Sequence, residues 1–216
     1  MFYGRDAASD QSAPPGARRL PIYLLIDCSG GMVHDMPMVR AAANTVLEVL
    51  NADPRGPRTA WVSLIIFNDY PTPSLLTPLT RVQFPELAPL GKTQLGRALR
   101  TLNEALDSDL AAPPPLEGGE SSAGFYRPIV FLISDGDPSP LNPAKPDQVD
   151  WKPQADILRA RGERGPLHIV ALAIASPSRN DAVLEAIADH IITVTPNLRT
   201  VGDEIRKYID WKIGLE

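Results

Sequence analysis

The stretch Pro21-Ile22-Tyr23-Leu24-Leu25-Ile26-Asp27-Cys28-Ser29-Gly30-Gly31-Met32 runs an unbroken apolar segment into a carboxylate, a hydroxyl and two glycines. Residues 20–26 show no polar alternation, the pattern of a strand covered on both faces. A second apolar run, residues 60–67, and a third, residues 129–133, repeat the pattern, and residues 168–174 make a fourth. Between them, apolar residues recur at helical spacing. Val39, Ala42, Ala43, Val46, Leu47 and Leu50 form one such face, and Leu95, Ala98, Leu99, Leu102 and Leu106 another.

Strands alternating with helices predict a doubly wound, mostly parallel, Rossmann-like α/β sheet, because right-handed crossovers place helices on both faces. Residues 74–79, bounded by prolines, predict an antiparallel edge strand, since proline is tolerated at edges. Further helices are expected over 154–161 and 181–188, a short strand over 191–194, and a closing helix through Val201, Ile205, Tyr208, Ile209 and Ile213. "NADPRGP" at residues 51–57 reads as the close of the first helix. Residues 1–18 read as a polar arm, residues 19–216 as one domain, and residues 111–124 as a Pro- and Gly-rich insert.

The 216 residues allow one sizeable core, and 44% hydrophobic content is ordinary for a folded soluble domain. A net charge of −5 argues against nucleic acid or an anionic membrane as partner. No apolar run is long enough to span a bilayer, and the N-terminus lacks a secretory apolar region. The single cysteine, Cys28, permits no internal disulfide and reads as buried and inert, so a cytoplasmic setting is expected. His34, His168 and His190 have no ligand spacing and read as structural. Arg18 and Arg19 read as solvated, and Trp61, Trp151 and Trp211 as packing residues. The 23 prolines fall between the apolar runs and punctuate the fold.

In an open parallel sheet, ligands bind beyond the carboxyl ends of strands. Asp27 with Ser29 and Asp135 stand at two such ends, and Thr93 stands at a helix start in "GKTQLGRAL". Two carboxylates and two hydroxyls from three segments suit a hard cation such as Mg²⁺, which takes six oxygens and keeps several waters. A polar cluster held by hydrogen bonds without a metal is the plainer alternative.

These segments resemble the von Willebrand factor A (VWA) domain. Its metal-ion-dependent adhesion site (MIDAS) follows D-x-S-x-S, a distant Thr and a distant Asp. Asp27, Ser29, Thr93 and Asp135 match four positions, which implies that they hold the metal; Mg²⁺ is expected, with Mn²⁺ or Ca²⁺ as substitutes. Gly31 stands where the pattern has its second serine, which implies a weakened site. Asp35, Asp69 and Asp137 are the candidates for compensation, with Asp137 leaning to a turn role. "RRLPIYLLIDCSGGM", "AWVSLIIFND" and "RPIVFLISDGDP" are similar to the bacterial TerY-like group associated with tellurium resistance and stress. That resemblance implies a non-enzymatic binding module, with a serine/threonine kinase and a metal-dependent phosphatase as companions. The metal would take an acidic side chain of the partner, and the loops at 33–38, 68–73, 91–94 and 138–153 would select it.

Two other functions remain open in the sequence. A strand-terminal aspartate could be the nucleophile of a haloacid-dehalogenase-type phosphoester hydrolase, but Ser29 occupies the place of that family's second acid. No Walker loop, G-x-G-x-x-G or G-x-S-x-G motif occurs. A metal-free scaffold is the second alternative.

Overall fold

The computed structural model describes residues 18–111, 124–142, 148–164 and 167–213. Most of the arm at 1–18 and the interior of the insert lie outside the described residues. The strands are β1 (Leu20–Asp27), β2 (Ala60–Phe67), β3 (Thr72–Pro73), β4 (Thr77–Pro78), β5 (Ile129–Ser134), β6 (His168–Ile174) and β7 (His190–Val194). The helices are α1 (Met36–Ala52), α2 (Gly56–Thr59), α3 (Leu95–Ala111), α4 (Trp151–Arg164), α5 (Asp181–Ile187) and α6 (Leu198–Ile213).

The sheet runs β3-β2-β1-β5-β6-β7, with β4 also paired to β2. β1 lies parallel between β2 and β5, with Ile26 opposite Ile66 on one side and Ile133 on the other. All eight of its residues are buried, the physical cause of its unbroken apolar sequence. Successive side chains enter opposite cores. Ile22, Leu24 and Ile26 pack with α1 and α6, whereas Tyr23 and Leu25 pack with α3, α4 and α5. From β1 the chain winds to β2 in one direction and later through β5 to β7 in the other. The sheet therefore reverses between β1 and β5, the position at which open sheets of this kind form a crevice beyond the strand ends. The doubly wound architecture is the expected one.

Three local readings are corrected. The edge is two 2-residue strands flanking residues 74–76, not one strand over 74–79. Ser74 interrupts the pairing: its hydroxyl accepts from Leu64 N at 2.8 Å, where a backbone carbonyl would otherwise serve, while its own carbonyl accepts from Ser63 Oγ at 2.9 Å. Pro73 and Pro78 sit at the outer edge, where a missing N–H costs no ladder bond. Residues 51–57 hold the start of α2 as well as the end of α1. Arg19 is not solvated; it is 1% exposed, and its guanidinium lies 4.0 Å from the Trp61 ring centroid. The aliphatic stem buries along the sheet and the cation rests on the indole face. Arg18 alone is exposed there, over Tyr126 at 4.8 Å.

Candidate metal centre

The end of β1 is built by hydrogen bonds to its neighbours. Cys28 N donates to Phe67 O at 2.8 Å and Leu90 N to Cys28 O at 3.0 Å, so the chain leaves β1 clamped between two loops. Cys28 itself is buried, and that burial pushes its thiol up. Ser29 then opens the 3₁₀ turn Gly30–Met32. Gly30 N donates to Gly91 O at 3.0 Å, tying this turn to the loop before α3. Gly91 has φ +71°, and a Cβ there would stand 2.0 Å from Asp69 Oδ2, so both its conformation and its space demand glycine. Gln94 N donates to Asn68 O and Ser139 N to Thr93 O, each bond joining two more of the loops.

Asp27 is fully buried. Its Oδ1 accepts from Ser29 N at 3.0 Å and its Oδ2 from Ser134 Oγ at 2.7 Å. Desolvation pushes its pKa up to about 6, against the pull of these bonds, and the neighbouring Asp135 pushes the same way. Ser29 Oγ and Thr93 Oγ1 lie 3.0 Å apart, Thr93 donating. Asp27, Ser29 and Thr93 thus form one linked group. Asp135, 4% exposed, stands across the crevice at the end of β5, with its carboxylate bonded elsewhere. Oδ2 accepts from Ser176 Oγ at 2.9 Å and Ser178 Oγ at 2.6 Å, and Oδ1 from Asp137 N at 3.1 Å.

Gly31 is exposed, and a Cβ built on it would meet only Ser29 Oγ, at 3.9 Å. Asp69 accepts from Lys92 N at 3.2 Å and braces the Gly91 turn. Asp35 begins α1 without a side-chain cap bond, and Asp137 is exposed in the turn after β5. Among the described residues no three His, Cys, Asp or Glu side chains gather as a metal-holding group, so any cation here would depend on hydroxyls.

The donor set fits a hard divalent cation. Two buried carboxylates stand at the ends of neighbouring strands, Asp27 beside the Ser29–Thr93 couple and Asp135 turned to the serines after β6. Their partners are hydroxyls and backbone N–H groups, with no Lys or Arg among the described residues bonded to either. Open space lies beside the hydroxyl couple at Gly31. Buried like charges lacking a cation are the arrangement that a divalent ion relieves. Sequence reasoning missed Ser134, Ser139, Ser176 and Ser178. Ser134 directly precedes Asp135, and Ser176 and Ser178 follow the strand next to β5, so hydroxyls beyond neighbouring strand ends were the available signal.

No protein-family model matches the chain and no curated protein matches it. Solved structures do. The von Willebrand factor domain of the type V pili tip protein Mfa5 from Porphyromonas gingivalis aligns with a TM-score of 0.62 at 13% identity, over 93% of this chain and 97% of that one. Proximal thread matrix protein 1 from the mussel byssus, solved with a zinc-occupied MIDAS motif, gives 0.57 at 16% identity, over 90% of this chain and 46% of that one. Manganese-loaded TRAP protein from Plasmodium vivax gives 0.54 at 16% identity, over 89% and 74%. This chain spans about half the length of the mussel protein. Identities this low speak for the fold alone. The sheet order, the switch point between β1 and β5 and these superpositions together give the chain the von Willebrand factor A fold.

Proposed function

We propose that this chain is a non-enzymatic protein-binding module. A divalent cation, Mg²⁺ before Mn²⁺ or Ca²⁺, held by Asp27, Ser29, Thr93 and Asp135, engages an acidic side chain of a partner protein. The observation that carries this reading is the pair of buried carboxylates at neighbouring strand ends, bonded to no cationic side chain among the described residues, with the Ser29–Thr93 hydroxyl couple linked to Asp27. When bound, the cation supplies positive charge at the crevice; the protein's residues orient it and leave a side open at Gly31. The missing hydroxyl there makes the site weak without closing it. The mussel protein was solved with zinc in its MIDAS motif and the Plasmodium protein was solved manganese-loaded, which supports a metal reading.

Binding is favoured over hydrolysis by the state of Asp27. It is wholly buried and each oxygen already accepts one hydrogen bond, a setting that suits a ligand to a small cation better than a nucleophile that must meet a bulky phosphoester in line. The TerY-like assignment and the kinase and phosphatase companions rest on the motif resemblance, the single domain over 19–216 on the strand-helix pattern, and the cytoplasmic setting on cysteine usage. Among the described residues no helix is long and apolar enough to cross a membrane.

Immobilised protein probed with a library of short peptides, each holding one Glu or Asp, tests the reading. Peptides should be retained with Mg²⁺ and released by EDTA, and Asp27→Ala should retain none. Retention indifferent to EDTA would replace the metal module with a metal-free scaffold. Turnover of p-nitrophenyl phosphate that needs both Mg²⁺ and Asp27 would replace it with a hydrolase.

A further inference from the structure

We infer that Ser176 and Ser178, in the loop between β6 and α5, are positioning residues that latch the Asp135 carboxylate away from the cation position. Metal binding and the latch then compete for one side chain. The inference rests on the metal reading above and concerns what sets the strength of that site.

Asp135 ends β5, which has β1 on one side and β6 on the other. Its carboxylate can therefore serve either the crevice by Asp27 or the loop after β6. Every side-chain bond it makes goes to the β6 side or to its own turn: Ser176, Ser178 and Asp137 N, with none to Ser29 or Thr93. The Ser176 and Ser178 hydroxyl oxygens lie 2.8 Å apart and Ser178 N donates to Ser176 Oγ at 3.2 Å, which sets the two oxygens and Oδ2 in a ring whose two hydroxyl protons both go to Oδ2. Asn180 N donates to Asp135 O at 2.8 Å and holds the loop alongside. The cation in this loop, Arg179, is turned to Asp181 and to Thr193 Oγ1 at 3.1 Å, so two hydroxyls and the Asp137 N–H answer the Asp135 charge.

The arrangement has a physical reason. Asp27 and Asp135 repel, and without a cation the repulsion is least when the two carboxylates turn apart, each onto its own hydroxyls. Ser134 takes Asp27 and the Ser176–Ser178 ring takes Asp135. A divalent ion reverses the balance by making it favourable for both to face the crevice. An occupant that draws Asp135 back must break the ring, so the ring lowers metal affinity, and by linkage the metal loosens the loop. Ser178 is exposed and Ser176 half-buried, so water can replace either hydroxyl when it is removed.

Mn²⁺ titration followed by the electron paramagnetic resonance signal of free Mn²⁺ tests this on the full chain. The Ser176→Ala/Ser178→Ala chain should bind about tenfold more tightly than wild type, about 1.4 kcal/mol. Ser176→Thr/Ser178→Thr, which keeps both hydroxyls, should return to the wild-type value. Hydrogen exchange over 175–180 should quicken in wild type on adding Mg²⁺ and stay unchanged in the alanine chain. Equal or weaker Mn²⁺ binding by the alanine chain, with wild type binding, would overturn the latch and leave the metal reading standing. Tighter binding in the threonine chain as well would also overturn it, because the hydroxyls would not be the cause. If neither wild type nor the Gly31→Ser or alanine chains bind Mn²⁺, the metal reading falls and the latch with it.

Discussion

Burial raises the pKa of Asp27, and that shift gives the protein a pH-dependent contribution to its stability. The folded value, about 6, lies above the ordinary carboxylate value of 3.8, so folding favours the protonated acid. Its contribution is therefore most favourable at low pH and is lost as pH rises from about 4 to about 6, by up to ~3 kcal/mol. Urea unfolding in EDTA at pH 4.5 and 7.5 should show this loss in wild type and not in Asp27→Asn. A cation bound to the ionised acid opposes the loss, so Mg²⁺ should raise the melting temperature more at pH 7.5 than at pH 5. Equal pH slopes in wild type and Asp27→Asn would place the pH dependence elsewhere. At this scale the sequence was partly legible. Asp27, Ser29 and Thr93 were readable as a set because their residue types carry the chemistry, and the structure links all three. Asp135 was readable as a strand-end acid, but the direction of its carboxylate depends on serines 41 and 43 residues later, which no local pattern ties to it. Arg19 was misread because a charge beside a strand ordinarily means solvent; the Trp61 face that covers it belongs to another strand.

The loops at the carboxyl edge act together through backbone bonds, so their geometry answers to single positions. Gly91 is one: with φ +71° and Asp69 Oδ2 2.0 Å from a would-be Cβ, Gly91→Ala should cost about 1–3 kcal/mol. It should also shift the Gly30–Gly91 bond and weaken metal binding. Unfolding in urea with a parallel metal titration checks both, and an unchanged midpoint would mean that the turn relaxes around the methyl group. The long elements were legible from periodicity; β2 and β6 fall on the residues read as strands, because burial on both faces leaves mostly apolar residues there, with Ser63 and His168 the polar exceptions. The edge was not legible in detail. A serine that replaces a backbone acceptor leaves no mark on hydrophobic pattern, so residues 74–79 looked like one strand where two short pairings stand.

For the whole molecule, stability and site are both centred on β1 and β5. Ile133 is fully buried, with Ile26 on one side and Leu172 on the other, two residues from Asp135. Ile133→Ala should destabilise the protein by about 2–5 kcal/mol, measured by urea unfolding, because a close-packed sheet core cannot collapse into the space. A loss below about 0.5 kcal/mol would contradict the described packing. Fold class was the most legible level, since alternation of strand and helix permits few topologies. Function was less so: the resemblance that suggested a binding module is matched by structures of the same fold at identities of 13–16%, which speak for architecture and not for partners. Calorimetric titration of Mg²⁺ into metal-free protein decides whether the carboxyl edge holds a working cation site weakened at Gly31. Wild type should bind weakly, Asp27→Ala not at all, and Gly31→Ser, whose Cβ fits with 3.9 Å to Ser29 Oγ, about tenfold more tightly than wild type. Saturable binding that persists in Asp27→Ala, or no binding in either wild type or Gly31→Ser, would contradict the account.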